Sequence, residues 1–384
     1  MTIRRRLLPV SLAFSLAVVL AAVPARAQSP GQAVLGLVQG ANTLVRFNTA
    51  TPATVGAPLP VTGLAAGDTL KAIDYRPANG LLYAIATDGS NTLVRTYTIN
   101  PTTGAATALG NAATLPTPGS SWDINFNPTV DRIRVVNNAD ENARLVPDTG
   151  ALAADDTNLS PAGAIVDAVA YTNPFAGATT TTLYALNQAT NGLAIIGGIN
   201  GNPSPNGGVV TEVGPLGVTF AGSTTAFDIA TNNAAFAALR PSGGGLSLYT
   251  VSLSTGTATL VGTIGDGTLA LDDVAIVDPG LIVSPPSGTY TTRQAFDIVL
   301  LADPQGQAIT GGTATFDAMP VTAFLASCLR PGTGAGGVTS FRCPNVGGPA
   351  TGPGTHTFVV RLLLSDGAIV QRSVTWTVVA VTEP

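Results

Sequence analysis

Apolar positions in this chain alternate with polar ones over short stretches, and Gly, Pro, Asn or Asp interrupts each stretch. Alternation with period two is the mark of half-buried strands, and the interruptions are turn signals. Leu81-Leu82-Tyr83-Ala84-Ile85, Arg132-Ile133-Arg134-Val135-Val136, Thr182-Leu183-Tyr184-Ala185-Leu186 and Ala235-Phe236-Ala237-Ala238-Leu239 read as equivalent strands of a repeated unit. Each follows a strand marked by an Asp between mostly apolar neighbours: Ile73-Asp74-Tyr75, Trp122-Asp123-Ile124, Val166-Asp167-Ala168, Phe227-Asp228-Ile229 and the weaker Asp272-Asp273-Val274. A third strand then runs into a turn, as at Thr103-Gly104, Thr149-Gly150 and Thr255-Gly256, where Gly supplies the positive φ of a tight hairpin, and a short fourth strand closes the unit.

The marker Asp residues are 49, 44, 61 and 45 residues apart. Periods of this length predict four-stranded propeller blades. The first copy starts at Val34-Leu35-Gly36-Leu37-Val38 without its Asp strand, and the last copy is that strand alone, residues 269–277. Together they complete one sheet and would close a ring of five, removing the edges that an open sandwich or solenoid, the alternative, would expose. From Gly280 the pattern changes. Alternating segments such as Thr355-His356-Thr357-Phe358-Val359-Val360 and Ser373-Val374-Thr375-Trp376-Thr377-Val378 fit an immunoglobulin-like sandwich. The expectation is an all-β chain: a signal peptide over 1–27, a five-bladed β-propeller over 28–279 and an Ig-like β-sandwich over 280–384.

Composition agrees, with 44 Gly, 28 Pro and only 10% charged residues. Arg4-Arg5-Arg6, the apolar run 7–23 and Ala25-Arg26-Ala27 form a secretory signal, with cleavage expected between Ala27 and Gln28. The mature chain then carries 13 basic and 22 acidic side chains and no run long enough to span a membrane. Such a surface argues against nucleic acid or anionic lipid as a partner, and the secretory signal implies the periplasm or the outside of the cell. Cys328 and Cys343, the two cysteines, are expected to pair as a structural disulfide in that setting.

Catalytic signatures are sparse. His356 is the one histidine, set in a strand pattern away from acidic clusters, so a Ser-His-Asp site would have to be assembled across domains. Gly332-x-Gly334-x-x-Gly337 matches a dinucleotide fingerprint by letter but lacks the strand-to-helix context. Two constellations remain. Asp74, Asp123, Asp167, Asp228 and Asp273, at equivalent positions, would line the propeller channel. They would either bind a cation such as Ca²⁺ or accept backbone N–H groups of the adjoining blade; mutual repulsion of five carboxylates favours the second. Asp131, Arg132, Arg134 and Arg144 form the other. Arg132 and Arg134 share a strand face and would either read an acidic ligand or staple Asp131 and Asp123 internally.

Phe126-Asn127-Pro128-Thr129-Val130-Asp131-Arg132-Ile133-Arg134-Val135-Val136, followed by Asn142-Ala143-Arg144-Leu145-Val146-Pro147-Asp148-Thr149-Gly150, resembles the bacterial DUF4394 family, a domain of unknown function, over residues 33–279. The resemblance implies an extracytoplasmic β fold and carries no catalytic residues with it. The sequence as a whole reads as an exported, non-catalytic binding protein with no cofactor and an extracellular or envelope ligand, protein or glycan. The alternative is a metal-assisted hydrolase or lyase using channel carboxylates.

Overall fold

A computed structural model describes residues 31–277, apart from 162 and 221–224. Beyond these it describes 280–284, 288–291, 298–303, 309–320, 332–333, 339–343, 353–364 and 369–380. The expected signal peptide and its cleavage site, and Cys328 of the expected disulfide, lie outside the described residues.

The chain is almost entirely strand. β1 (Ala33–Val38), β2 (Thr43–Asn48) and β3 (Leu59–Pro60) open it. Sheet I follows with β4 (Thr69–Tyr75), β5 (Leu82–Thr87), β6 (Leu93–Ile99) and an outer strand broken into β7 (Ala106–Ala108) and β8 (Ala113–Thr114). Sheet II comprises β9 (Trp122–Asn127), β10 (Arg132–Asn137), β11 (Asn142–Leu145) and β12 (Leu152–Asp155). Sheet III comprises β13 (Val166–Tyr171), β14 (Leu183–Asn187), β15 (Gly192–Ile196) and β16 (Val210–Pro215). Sheet IV comprises β17 (Ala226–Ile229), β18 (Ala235–Leu239), β19 (Ser247–Val251) and β20 (Ala258–Thr263). β21 (Leu271–Ile276) then pairs antiparallel with β1, so sheet V joins the two ends of the region in the order β21-β1-β2-β3. This is the complementarity expected of the incomplete first and last copies.

The first strands touch in a closed cycle: β4 to β9, β9 to β13, β13 to β17, β17 to β21 and β21 back to β4. Each sheet is apolar on both faces near this ring, and the hydrophobic core is accordingly divided into clusters lying between consecutive sheets. Trp122, Ile124 and Phe126 of sheet II, for example, pack on Ala72, Tyr83 and Ile85 of sheet I. The rings of Tyr83 and Phe126 meet edge-on at 5.0 Å. The three Thr-Gly turns adopt the expected conformation, with φ of 75°, 66° and 81° at Gly104, Gly150 and Gly256. A second constraint was not legible: a Cβ on Gly104 would lie 2.2 Å from the Pro60 carbonyl oxygen, and one on Gly256 2.3 Å from that of Gly214. These turns press on the outer edge of a neighbouring sheet.

The C-terminal strands form two sheets. β22 (Gly280–Ser284), β24 (Ile298–Asp303), β28 (Thr339–Cys343) and β27 (Gly332–Thr333) make one. β23 (Gly288–Thr291), β30 (Ile369–Val379), β29 (Gly354–Leu364), β25 (Ile309–Phe316) and β26 (Met319–Pro320) make the other, in which β23 runs parallel to β30. Phe358, Val360, Trp376 and Val378 are buried there. His356 is not isolated: its Nδ1 lies 2.8 Å from Asp317 Oδ2, in the turn between β25 and β26. Arg372 Nη1 donates to the Pro77 carbonyl at 3.0 Å, so β30 rests on the β4–β5 turn of sheet I.

Candidate functional site

An innermost strand has a sheet neighbour on one side only, so its inward N–H groups need acceptors from elsewhere. Counting back from the end of each first strand shows how this chain supplies them. Arg76, Thr172, Ala230 and Val277 donate to the second strand just beyond the last residue of β4, β13, β17 and β21, and Asn127 occupies the corresponding place in β9. By that count Asp74, Asn125, Ala170, Asp228 and Ala275 form one layer around the ring. Ala72, Asp123, Ala168, Ala226 and Asp273 form the layer below it. The expected equivalence of the five Asp residues is therefore incorrect. Asp74 and Asp228 belong to the first layer, Asp123 and Asp273 to the second, and Asp167, at a register shift in β13, belongs to neither. It accepts from Gln188 Nε2 at 2.6 Å and the Thr225 hydroxyl at 3.0 Å.

The two layers complete a tally. Asp74 accepts from its own neighbour Tyr75 N and from Phe126 N of sheet II. Asp228 does the same with Ile229 N and with Ile276 N of sheet V. Asn125 Oδ1 takes Tyr171 N of sheet III. Below them, Asp123 takes Ile124 N and Val169 N, and Asp273 takes Val274 N and Ile73 N. Nine inward N–H groups are thus satisfied by five side chains. A first-layer Ala occurs at 170 and 275, just before the sheets whose own Asp228 or Asp74 already covers the N–H in question.

Burial raises three of these carboxyls. Asp228 is pushed up to about 7 by desolvation, against the N–H bonds from Ile276 and Ile229 that favour its charge. Asp123 and Asp273 are raised well above the ordinary carboxylate range, by desolvation first and then by neighbouring carboxylates. Among the described residues no group of three or more His, Cys, Asp or Glu is disposed to hold a metal ion.

The Asp131, Arg132, Arg134 and Arg144 cluster does not form as a unit. Arg132 and Arg134 share one face of β10, but Arg134 is interior whereas Arg132, the first residue of the strand, is half-buried and donates to the carbonyls of Asp131 at 2.9 Å and Val130 at 3.5 Å. Asp131 turns to sheet I, where Arg76 forks onto it through Nε at 2.9 Å and Nη2 at 2.5 Å and also reaches Asp148 at 2.5 Å. Arg134 staples neither Asp131 nor Asp123. Its Nη1 donates to Asp156 Oδ2 and Asn142 Oδ1, both at 2.7 Å, its Nη2 to Asn206 Oδ1 at 2.7 Å, and its Nε to the Tyr171 hydroxyl at 3.5 Å. Arg144 forks onto the same Asp156 at 2.7 and 2.9 Å. The internal staple expected of Arg134 is present, with a different carboxylate.

Beside this triad, between sheets II and III, lies a cleft of about 240 Å³. The β9–β10 turn at Thr129 and Val130, the segment 179–181 and the segment 200–206 border it, and Arg144 and Tyr171 line it. Threonine hydroxyls and asparagine amides alternate there with the apolar groups of Val130, Leu183 and Pro205. A cleft between sheets V and I, about 290 Å³, is lined mainly by aliphatic groups such as Leu35, Leu44 and Leu59 beside Arg46. Sequence reasoning missed Asp156, Asn142, Asn206, Tyr171, Asn125 and Arg76. Only Asn125 left a signal: it sits two residues after Asp123, on the same strand face, among apolar neighbours.

Solved structures similar to this chain include a putative 6-phosphogluconolactonase from Bacteroides uniformis ATCC 8492, at 15% identity over 89% of this chain and 95% of that one, TM-score 0.34. A protein from Lactobacillus plantarum is 12% identical over 89% and 81%, TM-score 0.32. The exo-beta-1,3-galactanase of Phanerochaete chrysosporium, solved with galactose, is 10% identical over 90% of each chain, TM-score 0.36. Likeness of this degree bears on neither reaction nor ligand. No curated protein matches the chain. The model of the family described as Domain of unknown function (DUF4394) matches residues 43–275, more than half of the chain, and the protein belongs to that family.

Proposed function

We propose that this protein is an exported, non-catalytic binding protein: a five-bladed propeller closed by β21, followed by an Ig-like module held by a Cys328–Cys343 disulfide, with its ligand site in the cleft between sheets II and III. The observation that supports the reading is where hydrogen-bonding capacity is spent. The channel carboxyls, the groups best suited to acid-base or metal chemistry, are buried and engaged by backbone N–H groups of two sheets at once. The cleft presents solvent-facing hydroxyls and amides of the kind that orient a polar ligand. Small size and a lining of hydroxyl and amide groups mixed with Tyr171, Leu183 and Pro205 suit a saccharide unit better than a peptide side chain.

The test is a glycan and peptide array probed with the full chain, with metal analysis of the same preparation. Binding to a defined glycan class by metal-free protein is the expected result. Tightly held stoichiometric metal in the channel, with turnover of a bound ligand, would replace this reading with the hydrolase or lyase one.

A further inference from the structure

Two guanidiniums and one carboxylate meet beside the cleft, so the Arg134, Asp156 and Arg144 triad retains one positive charge. Arg132, which donates to the carbonyl oxygens of Asp131 and Val130, adds another, two residues from Arg134 along β10. This locally basic edge belongs to a chain whose formal net charge is -5. Arg134 is enclosed and its donors are directed at Asn142, Asp156, Asn206 and Tyr171. Arg144 differs. Its side chain is 28% exposed, it lines the cleft, and its Nε and Nη2 both serve Asp156. Among the described residues nothing accepts from its Nη1. Asp156 fixes the guanidinium plane, so the remaining N–H groups are pre-oriented donors for an anionic oxygen.

Resting on the binding role proposed above, we infer that the cleft takes a sugar acid: a carboxylate received by Arg144, with ring hydroxyls meeting Thr179, Thr180, Asn200 and Ser204. A guanidinium alone would suit any anion. The uncharged lining around it, threonine and serine hydroxyls and asparagine amides beside the Tyr171 ring and Leu183, favours a polyhydroxylated one with an apolar ring face. The same chemistry is offered by a free uronic acid and by a uronic-acid residue of an acidic polysaccharide.

Calorimetric titration of the full chain with glucuronate, galacturonate, their neutral counterparts glucose and galactose, and an oligogalacturonide tests this. A uronate or the oligomer should bind at least about tenfold more tightly than the neutral sugars, the worth of a charge-assisted hydrogen bond. Arg144→Gln should weaken that binding about 10- to 100-fold. Thr180→Trp, at an exposed position on the cleft wall, should abolish it without touching the triad. Oligomer binding without monomer binding, lost in both variants, assigns the polymer as source. Equal binding of acid and neutral sugar, lost in Thr180→Trp, overturns the acidic preference and leaves the binding role standing. Acid binding indifferent to both variants overturns the assignment of the site. Failure of all these sugars alongside a blank array overturns both readings; failure of these sugars with a different glycan captured overturns only this one.

Discussion

Two polar clusters lie within one ring of sheets, and they differ in how their hydrogen bonds balance. Along the channel, five acceptor side chains meet nine inward backbone donors, and each carboxylate spends both oxygens. Between sheets II and III, the Arg134, Asp156 and Arg144 triad has donors and charge left over beside an open cleft. Both look like functional clusters in the sequence. A balanced cluster is a structural joint, whereas one that keeps unspent capacity facing solvent is a candidate site.

The widest break in that comparison comes from Asp156→Ala. It removes the shared partner of two arginines, one of them buried, and should destabilise the fold by about 3–5 kcal/mol; denaturant unfolding measures it. Asp228→Ala strips acceptors from Ile229 N and Ile276 N across the junction of sheets IV and V. A loss of roughly 2–4 kcal/mol is expected, from a penalty of about 1–3 kcal/mol for each of the two stranded donors, partly offset because the carboxyl is no longer buried. A melting point equal to wild type would mean the channel is wet and the carboxylate dispensable.

The pH dependence sharpens the same joint. The folded pKa of Asp228, about 7, exceeds its unfolded value, so the native state binds more protons in between. Its contribution is full below the unfolded pKa of about 4 and is lost as pH rises through about 7. The slope of melting temperature against pH from 5 to 8 should therefore be less negative in Asp228→Asn than in wild type. An identical slope would place the titrating proton elsewhere. Smaller still is Asp167→Ala, expected to cost about 1–2 kcal/mol, because its partners are a side-chain amide and a hydroxyl.

Legibility followed the range of the interaction. The strand repeat and the Thr-Gly turns are local patterns, and sheets I to V reproduce them; the closing sheet is long-range and was legible only because the incomplete first and last copies complement each other. Register is not local: whether Asp74 and Asp123 share a layer depends on how far each lies from the end of its strand, two residues before Arg76 in one case and four before Asn127 in the other. The marker motif was therefore informative as a joint while its alignment misled. Partners of Arg134 were harder again, since Asp156 is 22 residues away and Asn206 is 72 residues away in another sheet. Arg132 and Arg134 share alternation along β10, yet one is interior and the other lies at the strand end.

The most direct test sets the two clusters side by side: array binding by Thr180→Trp and by Asp228→Asn, each verified as folded at the assay temperature. The account predicts that Thr180→Trp keeps wild-type stability and loses the ligand, while Asp228→Asn loses stability and keeps it. Retained binding in Thr180→Trp together with lost binding in a folded Asp228→Asn would contradict it and return the site to the channel.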